Sequence, residues 1–387
     1  MRTEYRLDEL FDLQMGKTPA RNNPEYWDSD DHKWISIADL SKCGKYIVDT
    51  KEYLSEKAVQ ECGINQIPEN TVIMSFKLSI GKTAITPEPM YSNEAIMSFR
   101  DKHVTEILPD YIYYMFSGKD WEAGTNKAVM GKTLNKATLS GTRIKVHDIE
   151  EQREIVAVLD KVKAVLDARE EELEKLDELI KARFVEMFGN ESNPYQWPVI
   201  SVEEVANVSV GVVIKPAQYY TDAEHGVKAF RSLNIGPMTI KDGDWVYFSY
   251  EGNDKNAKSQ LKENDLLIVR SGAPGTACVV PKQYEGCNAI DIIIARPNTG
   301  KINPYYLCTY TNMPHGKRQI EEGTGGAAQQ HFNVGKYNKL RLMMPPLELQ
   351  NEFVNFIAQV DKSKVAVQKS LDETQELFDS LMQDYFG

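Results

Sequence analysis

The sequence of 387 residues contains no apolar run of about 18 residues, the length that a membrane-spanning helix requires. Its opening stretch, MRTEYRLDEL, alternates charged with apolar side chains and lacks the apolar core of a secretory signal. These two absences predict a cytoplasmic protein that has no membrane partner.

Cysteine is scarce, and its spacing suits neither a disulfide framework nor a metal site. The five cysteines are odd in number and widely separated, and none forms a C-x-x-C pair or lies at zinc-finger spacing from a histidine. We therefore expect reduced thiols in cores and loops, and no metal bound by this chain.

Catalytic motifs are lacking as well. The sequence has no G-x-x-x-x-G-K-[ST] phosphate loop, no G-x-G-x-x-G, no G-x-S-x-G and no H-E-x-x-H. Gly81-Lys82-Thr83 contains G-K-T, but Phe76 stands where a phosphate loop has its first glycine, so this stretch predicts a turn. The glycines that bind S-adenosylmethionine are missing, and the single Pro-Pro pair follows two methionines instead of the Asn or Asp of amino methyltransferases. We expect a chain that is not an enzyme and binds no cofactor.

An excess of positive charge is also absent, since the net charge is −12. The acidic excess is concentrated in residues 150–189, with 7 basic and 12 acidic side chains, and in residues 347–387, with 3 and 8. Residues 1–149 hold 19 basic and 22 acidic side chains, and residues 190–346 hold 16 and 15. These two longer segments are close to neutral, so local basic surfaces can form there and nucleic-acid binding is not excluded.

What the sequence does contain is an internal repeat, which sets the architecture. Residues 150–189 align with residues 348–387 at an offset of 198, and both copies end in Phe-Gly. The longer segments repeat more faintly at an offset of 194. The matched pairs include Glu150/Glu348, Gln152/Gln350, Asn135/Asn333, Asn70/Asn264, Gly81/Gly275, Ala95-Ile96/Ala289-Ile290 and Tyr111/Tyr305. The predicted order is domain (1–147), helix (148–189), domain (190–346) and helix (347–387).

Each short segment predicts one long helix with a narrow apolar seam at heptad spacing. Asp148 and Glu151 resemble a capping box, and Gly189 suits the position after a helix end. About 40 residues at about 1.5 Å each span roughly 60 Å, which is too long for one small domain. We expect the two helices to pair antiparallel through these seam residues: Ile155, Leu159, Val162, Leu166, Leu173, Leu176, Ile180, Phe353, Ile357, Val360, Val367, Leu371, Phe378 and Leu381. The alternative is that each helix packs on its own domain or on another protein.

The two longer segments predict α+β domains, because short β-rich runs alternate with Gly, Pro, Asn and Asp. Their loops carry side chains that can hold phosphates or read base edges. The glycine-rich loops fit tight turns equally well. The DNA-binding candidates in the first domain are Lys17, Thr18, Arg21, Asn22, Asn23, Lys77, Asn126, Lys127 and Lys132. Those in the second are Arg231, Ser232, Asn234, Arg270, Ser271, Thr276, Gln329, Gln330, His331 and Asn333.

With this duplicated plan in view, the chain resembles the specificity subunit of type I restriction–modification systems. The resemblance covers essentially the whole chain and is carried by the junctions MMPPLELQNEF and VHDIEEQREI and by the start LDELFDLQMGKTPARNNPEYW with WISIADL. The first junction departs from the second, since His147-Asp148 stands where the second has Pro345-Pro346.

The resemblance implies an α+β chain whose two target-recognition domains are separated by an antiparallel pair of long coiled-coil helices, related by a pseudo-two-fold repeat. Each domain would read one half of an asymmetric bipartite target in double-stranded DNA, and the helices would set the spacing and dock the modification subunits. Two modification subunits would bind S-adenosylmethionine and methylate adenine N6, and two restriction subunits that use ATP and Mg²⁺ can join.

Two rival hypotheses stay open at this point. A coiled-coil scaffold without DNA specificity explains the helices but not the parallel loop-rich domains. An enzyme with degenerate motifs, such as a nuclease or methyltransferase, should show turnover when the pure chain is incubated with DNA and S-adenosylmethionine.

Overall fold

The computed structural model describes residues 2–77, 79–121, 134–324 and 332–387. The chain divides into two units, the first made of Met1–Glu170 with Gln368–Gly387 and the second of Glu171–Val367. Each unit therefore combines one of the longer segments with parts of both long helices. None of the helices in the described ranges has the length and apolarity needed to span a membrane.

In its described residues, the first unit contains nine strands and five short α-helices, followed by the start of the first long helix. Its strands are β1 (Thr3–Arg6), β2 (Phe11–Met15), β3 (His32–Ile35), β4 (Glu52–Leu54), β5 (Thr71–Ser75), β6 (Thr83–Thr86), β7 (Tyr91–Ser92), β8 (Ile96–Asp101) and β9 (Arg143–Val146). Its helices are α1 (Leu7–Leu10), α2 (Ile37–Leu40), α3 (Glu56–Cys62), α4 (Pro109–Gly118), α5 (Lys136–Gly141) and the first part of α6 (Ile149–Phe188).

The second unit repeats this sequence of elements, with extra short strands. Its strands are β10 (Val199–Ser201), β11 (Ala206–Val210), β12 (Tyr220–Thr221), β13 (Gly226–Phe230), β14 (Ile235–Gly236), β15 (Thr239–Ile240), β16 (Val246–Ser249), β17 (Leu266–Val269), β18 (Ala277–Val279), β19 (Asn288–Ala289), β20 (Ile292–Pro297) and β21 (Arg341–Met343). Its helices are the last part of α6, α7 (Tyr250–Lys255), α8 (Pro304–Asn312), α9 (Pro314–Thr324), α10 (Val334–Asn338) and the first half of α11 (Leu347–Phe386).

Both units are built on the same sheets, which confirms the predicted α+β repeat. The four-stranded antiparallel sheet β2-β8-β5-β6 of the first unit has its counterpart in β11-β20-β17-β18 of the second. A second sheet, β4-β3-β7 or β12-β16-β13-β19, includes one parallel pair in each unit. The terminal strands of each domain also pair, β1 with β9 and β10 with β21.

The central strands are apolar throughout because both faces of the sheet are covered. In β17, Leu266 and Ile268 enter the core that includes the long helices, while Leu267 and Val269 enter a separate core on the opposite face. Successive side chains of a strand point to opposite faces, so a continuous apolar run suits a strand that is buried on both sides.

One part of the predicted alignment is wrong by two residues. Ser75 of β5 pairs with Ile96, and Val269 of β17 pairs with Ile292. Ile96 therefore corresponds to Ile292, and the predicted match of Ala95-Ile96 with Ala289-Ile290 fails. The reason is a difference in loop length between the central strands, which sequence identity at two positions could not reveal.

The predicted match of Tyr111 with Tyr305 is also displaced, by one residue. The Tyr111 hydroxyl lies 3.4 Å from the Lys145 carbonyl oxygen, and the Tyr306 hydroxyl donates to the Met343 carbonyl at 2.7 Å. Lys145 and Met343 belong to the equivalent strands β9 and β21. Tyr306 is therefore the structural counterpart of Tyr111.

In the second unit the two long helices run antiparallel. Asp177 of α6 pairs with Lys364 of α11, and Arg183, further along α6, pairs at 3.4 Å with Glu352, which comes earlier in α11. Phe184, Phe188 and Phe353 are fully buried in one core with domain residues. The helix pair is thus part of the core of this unit.

In the first unit the start of α6 packs against the end of α11. Ile155 and Leu159 share a core with Phe378, Leu381 and Phe386 and with the domain residues around Tyr111. Every one of the predicted seam residues is buried or partly buried. Antiparallel pairing is confirmed, and the helices also pack on the domains, so the two alternatives are not exclusive.

Two equivalent glutamines explain one of the identities in the repeat. Gln152 and Gln350 are fully buried, and their Oε1 atoms accept hydrogen bonds of 2.9 Å from the backbone N–H groups of Leu108 and Asn303. Their Nε2 atoms donate to the carbonyls of His147 and Pro345 at 2.9 Å. Each glutamine joins the start of a long helix to the start of α4 or α8, and a buried amide needs such partners.

The unusual junction at His147 is a buried hydrogen-bonded site. Arg2 Nε donates to His147 Nε2 at 2.8 Å, so the ring proton must lie on Nδ1, which is 2.6 Å from the Tyr111 hydroxyl. Asp148 caps the long helix by accepting from the Glu151 N–H at 3.0 Å. Burial, and then the positive charge of Arg2, lower the pKa of His147 from its ordinary value.

This lowered pKa predicts that stability falls in mild acid. The unfolded imidazole gains a proton near pH 6.5, whereas the folded one does so only at lower pH. The contribution of neutral His147 to the free energy of unfolding is therefore present above about pH 6.5 and is lost as the pH falls below it. Urea unfolding at pH 7 and pH 5.5 should show this loss, and His147→Gln should reduce it. Burial lowers the pKa of His315 too, so the double variant with His315→Gln should reduce the loss further. An unchanged pH dependence in His147→Gln would contradict the assignment.

Candidate nucleic-acid interface

The two units present an equivalent turn between two strands of the four-stranded sheet. It comprises residues 76–77 and 79–82 between β5 and β6, and residues 270–276 between β17 and β18. Gly81 and Gly275 have φ of 89° and 78°, and each donates a 2.9 Å hydrogen bond to the last residue of the preceding strand. We call these two segments the turn surfaces. Their glycines were matched in the sequence, and the left-handed backbone explains why glycine is needed.

The predicted loop residues Asn126, Lys127, Lys132, Gln329, Gln330 and His331 lie outside the described residues. The described residues that follow them, Leu134 and Phe332, are held at the turn surfaces. The Leu134 N–H donates to the Phe76 carbonyl at 3.2 Å, and the Phe332 N–H donates to the Arg270 carbonyl at 3.1 Å.

A loop that begins with glycine packs closely against β7 in the first unit and against β19 in the second. A Cβ on Gly16 would lie 2.1 Å from the Ser92 carbonyl oxygen, and a Cβ on Gly211 would lie 2.2 Å from that of Ala289. Only glycine permits so close an approach between two backbones. We call residues 16–23 and 211–216 the glycine loops.

In the first unit, the glycine loop and the turn surface meet at a carboxylate. The Thr18 hydroxyl donates to Glu94, which lowers the pKa of Glu94, and the positive charges of Lys77 and Arg21 act in the same direction. Arg21 also pairs with Glu52 at 2.5 Å. Glu94 therefore binds Thr18 directly and lies within electrostatic reach of two further predicted residues, Arg21 and Lys77.

Two of the other predicted residues of this glycine loop, Lys17 and Asn23, have local partners. The Lys17 ammonium donates to the Cys62 carbonyl at 2.5 Å, and the Asn23 side chain caps the turn that follows by accepting from the Glu25 N–H at 3.2 Å. Asn22 is exposed. The Arg21 guanidinium lies 4.0 Å above the centre of the Trp27 ring, which holds its plane in one orientation.

In the second unit, Arg270 occupies the position of Phe76, one residue before the counterpart of Lys77. Its guanidinium pairs with Asp291 and donates from Nε to the Phe332 carbonyl at 3.0 Å, and its side chain is 16% exposed. The Asp291 N–H donates to the Val212 carbonyl at 3.1 Å. The second glycine loop is therefore connected to the turn surface through Asp291.

Two other predicted residues of this turn differ in exposure. Thr276 is 9% exposed and its hydroxyl accepts from the Lys317 ammonium at 3.1 Å, so it faces inward. Ser271 is partly exposed.

The structure corrects the assignment of Asn234. Asn234 is fully buried, accepts from the Arg231 N–H at 2.9 Å and donates to the Gly243 carbonyl at 2.7 Å. Asp39 forms the same capping turn in the first unit by accepting from the Ser36 N–H at 2.8 Å. Asn234 holds a turn and has no edge left for a base.

Asn333 has a capping role as well. Its side chain accepts from the Lys336 N–H at 3.0 Å, and Asn135 accepts from the Thr138 N–H at 2.8 Å at the equivalent helix. This shared role explains the Asn135/Asn333 identity. Ser232 is exposed beside Arg231, whose guanidinium donates to the Asp244 carbonyl.

Four residues that lie in these surfaces or bind to them were not predicted from the sequence. Glu94 and Asp291 were not predicted because cations and amides are the usual base-reading side chains, and Val213 and Ile214 were not predicted because they are apolar. Aligning Gly16 with Gly211 would have found the second glycine loop.

The described part of the chain contains no group of His, Cys, Asp or Glu arranged to hold a metal ion. The five cysteines are free thiols. Burial raises the pKa of Cys278 to about 12 and that of Cys287 to about 11, which keeps both protonated.

Comparison with known proteins places both units in one family. The family model described as the type I restriction modification DNA specificity domain matches residues 3–178 and 172–376. The MjaIX type I restriction enzyme specificity subunit of Methanocaldococcus jannaschii is 22% identical over 402 aligned positions, covering 97% of this chain and 90% of that protein. The EcoprrI specificity subunit of Escherichia coli is 22% identical over 368 positions, covering 89% and 84%.

Solved structures share the fold. The S subunit of a type I restriction–modification system from M. genitalium matches with a TM-score of 0.55 at 13% identity, covering 100% of this chain and 96% of that one. A chain from a study of complex assembly and conformational transition in a type I system matches with a TM-score of 0.60 at 18% identity, covering 100% and 97%.

Proposed function

The chain belongs to the family of type I restriction–modification DNA specificity subunits, and on this premise we propose how its two units divide the reading of DNA. Each unit reads one half of a split target in double-stranded DNA through its turn surface and glycine loop. The chain acts in the cytoplasm and leaves catalysis to its partners.

The observation that carries this proposal is that equivalent positions of the two units hold different chemistry. In the first unit Thr18 binds Glu94, and the charges of Arg21 and Lys77 act on the same carboxylate, whereas the second unit pairs Arg270 with Asp291. Arginine and lysine can bind guanine edges or phosphates, and carboxylates can accept from the cytosine amino group. Unequal side chains on equivalent scaffolds should read unequal half-sites, so the target should be asymmetric.

We assign the long helices to spacing and to docking. The helices carry the acidic excess of the chain, and acid repels the DNA backbone but is compatible with a protein surface. In the first unit, α4, α6 and the end of α11 border a cleft of about 950 Å³ that includes Tyr114, Asp160 and Met382. A modification subunit would dock along such a surface.

The partners supply the chemistry that this chain lacks motifs for. Two modification subunits would bind S-adenosylmethionine and methylate adenine N6 on a flipped base. Two restriction subunits that use ATP and Mg²⁺ can join this complex. The two matched specificity domains support this assignment over a coiled-coil scaffold without DNA specificity.

Mapping adenine methylation in cells that express this chain with its modification subunit tests the proposal. We expect one asymmetric bipartite motif. Lys77→Ala should relax or abolish reading of one half-site only, and Arg270→Gln should affect the other half-site only. Lys258→Ala, an exposed lysine of the second unit outside both surfaces, should leave the motif unchanged. A continuous or palindromic motif, or one variant that alters both half-sites, would count against it.

A further inference from the structure

The second glycine loop presents apolar side chains to solvent. Val212 is held on both sides, since its N–H donates to Ala289 at 2.7 Å and its carbonyl accepts from Asp291 at 3.1 Å. The side chains of the next two residues are exposed to solvent, Val213 to 49% and Ile214 to 79%. The loop is therefore held at Val212 and exposes two branched apolar side chains beyond that residue.

A single exposed isoleucine is common in soluble proteins and needs no explanation by itself. The backbone next to Ile214 is unusual, however, because Lys215 has φ 45° and ψ 53° in the left-handed region. This conformation costs a residue other than glycine about 1–2 kcal/mol. Strained backbone persists where the surroundings impose it and often accompanies function.

The position of the loop indicates its ligand. Asp291 joins Val212 to Arg270, so Val213 and Ile214 follow directly on the residue that is tied to the turn surface of the second unit. Lys215 is exposed and makes no ion pair with any residue that the structure describes. An apolar pair followed by a free cation and close to an arginine suits a groove of DNA, where phosphates flank the base edges.

The first unit has different side chains at the equivalent positions of its glycine loop. Counting from the equivalent glycines, Pro19 corresponds to Ile214, and Pro19 is buried. The polar residues Lys17 and Thr18 stand where the second loop has Val212 and Val213. Of the two glycine loops, the second therefore exposes an apolar pair that the first lacks.

We infer that Ile214, supported by Val213, contacts the 5-methyl group of a thymine in the half-site that the second unit reads. In the major groove, thymine alone among the four bases presents a methyl group, and apolar side chains recognise it. This inference rests on the proposed function, and it identifies thymine as the base that one side chain of the second unit contacts.

Replacing each thymine of the second half-site in turn by deoxyuridine removes only the methyl group. Binding is measured with the complex of the full chain and its modification subunits. We expect one replacement to weaken binding about fourfold, the factor that corresponds to one buried methyl group. Ile214→Ala should bind the thymine and deoxyuridine duplexes equally. Val48→Ala, which removes an apolar side chain that is 58% exposed in the first unit, should keep the fourfold difference.

Several results would overturn the inference while the proposed function stands. They are a second half-site without thymine on either strand, no replacement that weakens binding, or continued discrimination by Ile214→Ala. Reduced assembly of Ile214→Ala with the modification subunits, at an unchanged thymine-to-deoxyuridine ratio, would instead assign the loop to a protein contact. A complex that prefers no duplex over random DNA would overturn the proposed function as well.

Discussion

Deleting one heptad from each long helix is expected to shorten the unread spacing between the two half-sites by about three base pairs. Seven helical residues span about 10.5 Å, and a base pair of B-DNA rises about 3.4 Å. The bases of the two half-sites should stay the same, because both reading surfaces are left intact. Methylation mapping of the deleted chain with its modification subunit gives the spacing directly.

Residues 167–173 and 365–371 are suitable for this deletion. Each segment contains a boundary between the two units. Neither segment contributes a side chain to the core around Phe184 or to the core around Tyr111. Removing seven residues keeps the heptad phase, so the seam on each side stays continuous. Deletion from one helix alone is the control and should impair assembly, because the paired helices then differ in length. An unchanged spacing in the double deletion would refute the role of the helices in setting it.

Phe184→Ala is expected to destabilise the second unit by about 3–5 kcal/mol, the usual cost of removing a buried phenylalanine ring. Phe184 is fully buried, and its ring centre lies 5.0 Å from that of Phe188, 5.5 Å from Phe353 and 5.6 Å from Tyr306. The ring thus joins α6, α11 and α8, and its removal leaves a cavity that no single neighbour can fill.

Urea unfolding, followed by hydrogen exchange in residues 171–188, measures the loss for this unit. Val185→Ala is the matched control, because Val185 is the next residue of the same helix and is 40% exposed. It should change stability by no more than about 0.5 kcal/mol. Equal effects of the two substitutions would show that the ring cluster does not stabilise this unit.

The architecture was largely predictable because it follows from the periodic spacing of residues in the sequence. Apolar residues at heptad spacing predicted the two long helices, and glycine and asparagine at matched positions predicted the repeat. Asn70 and Asn264 illustrate why such matches survive: both have positive φ, of 54° and 71°, which asparagine tolerates better than most residues. The alignment failed where loops differ in length, between the central strands and before α4 and α8.

The candidate site was predictable only in part. Glycine spacing indicated the turn surfaces, and cation-rich loops indicated Thr18, Arg21 and Lys77. Residue type could not show that Asn234 and Asn333 cap turns, because capping and base reading use the same amide. Nor could it show that Glu94 and Asp291 are central, since a carboxylate acquires that role only from the cations that the fold places around it.

The division of the chain has a consequence for its synthesis. The second unit consists of the continuous stretch Glu171–Val367, whereas the first also requires Gln368–Gly387. Phe378, Leu381 and Phe386 of that stretch help to close the core around Tyr111. Domains usually form in the order in which they leave the ribosome. We therefore expect the order to be inverted here, because the core of the first unit can close only after Gln368–Gly387 have been translated, which follows the whole of the second unit.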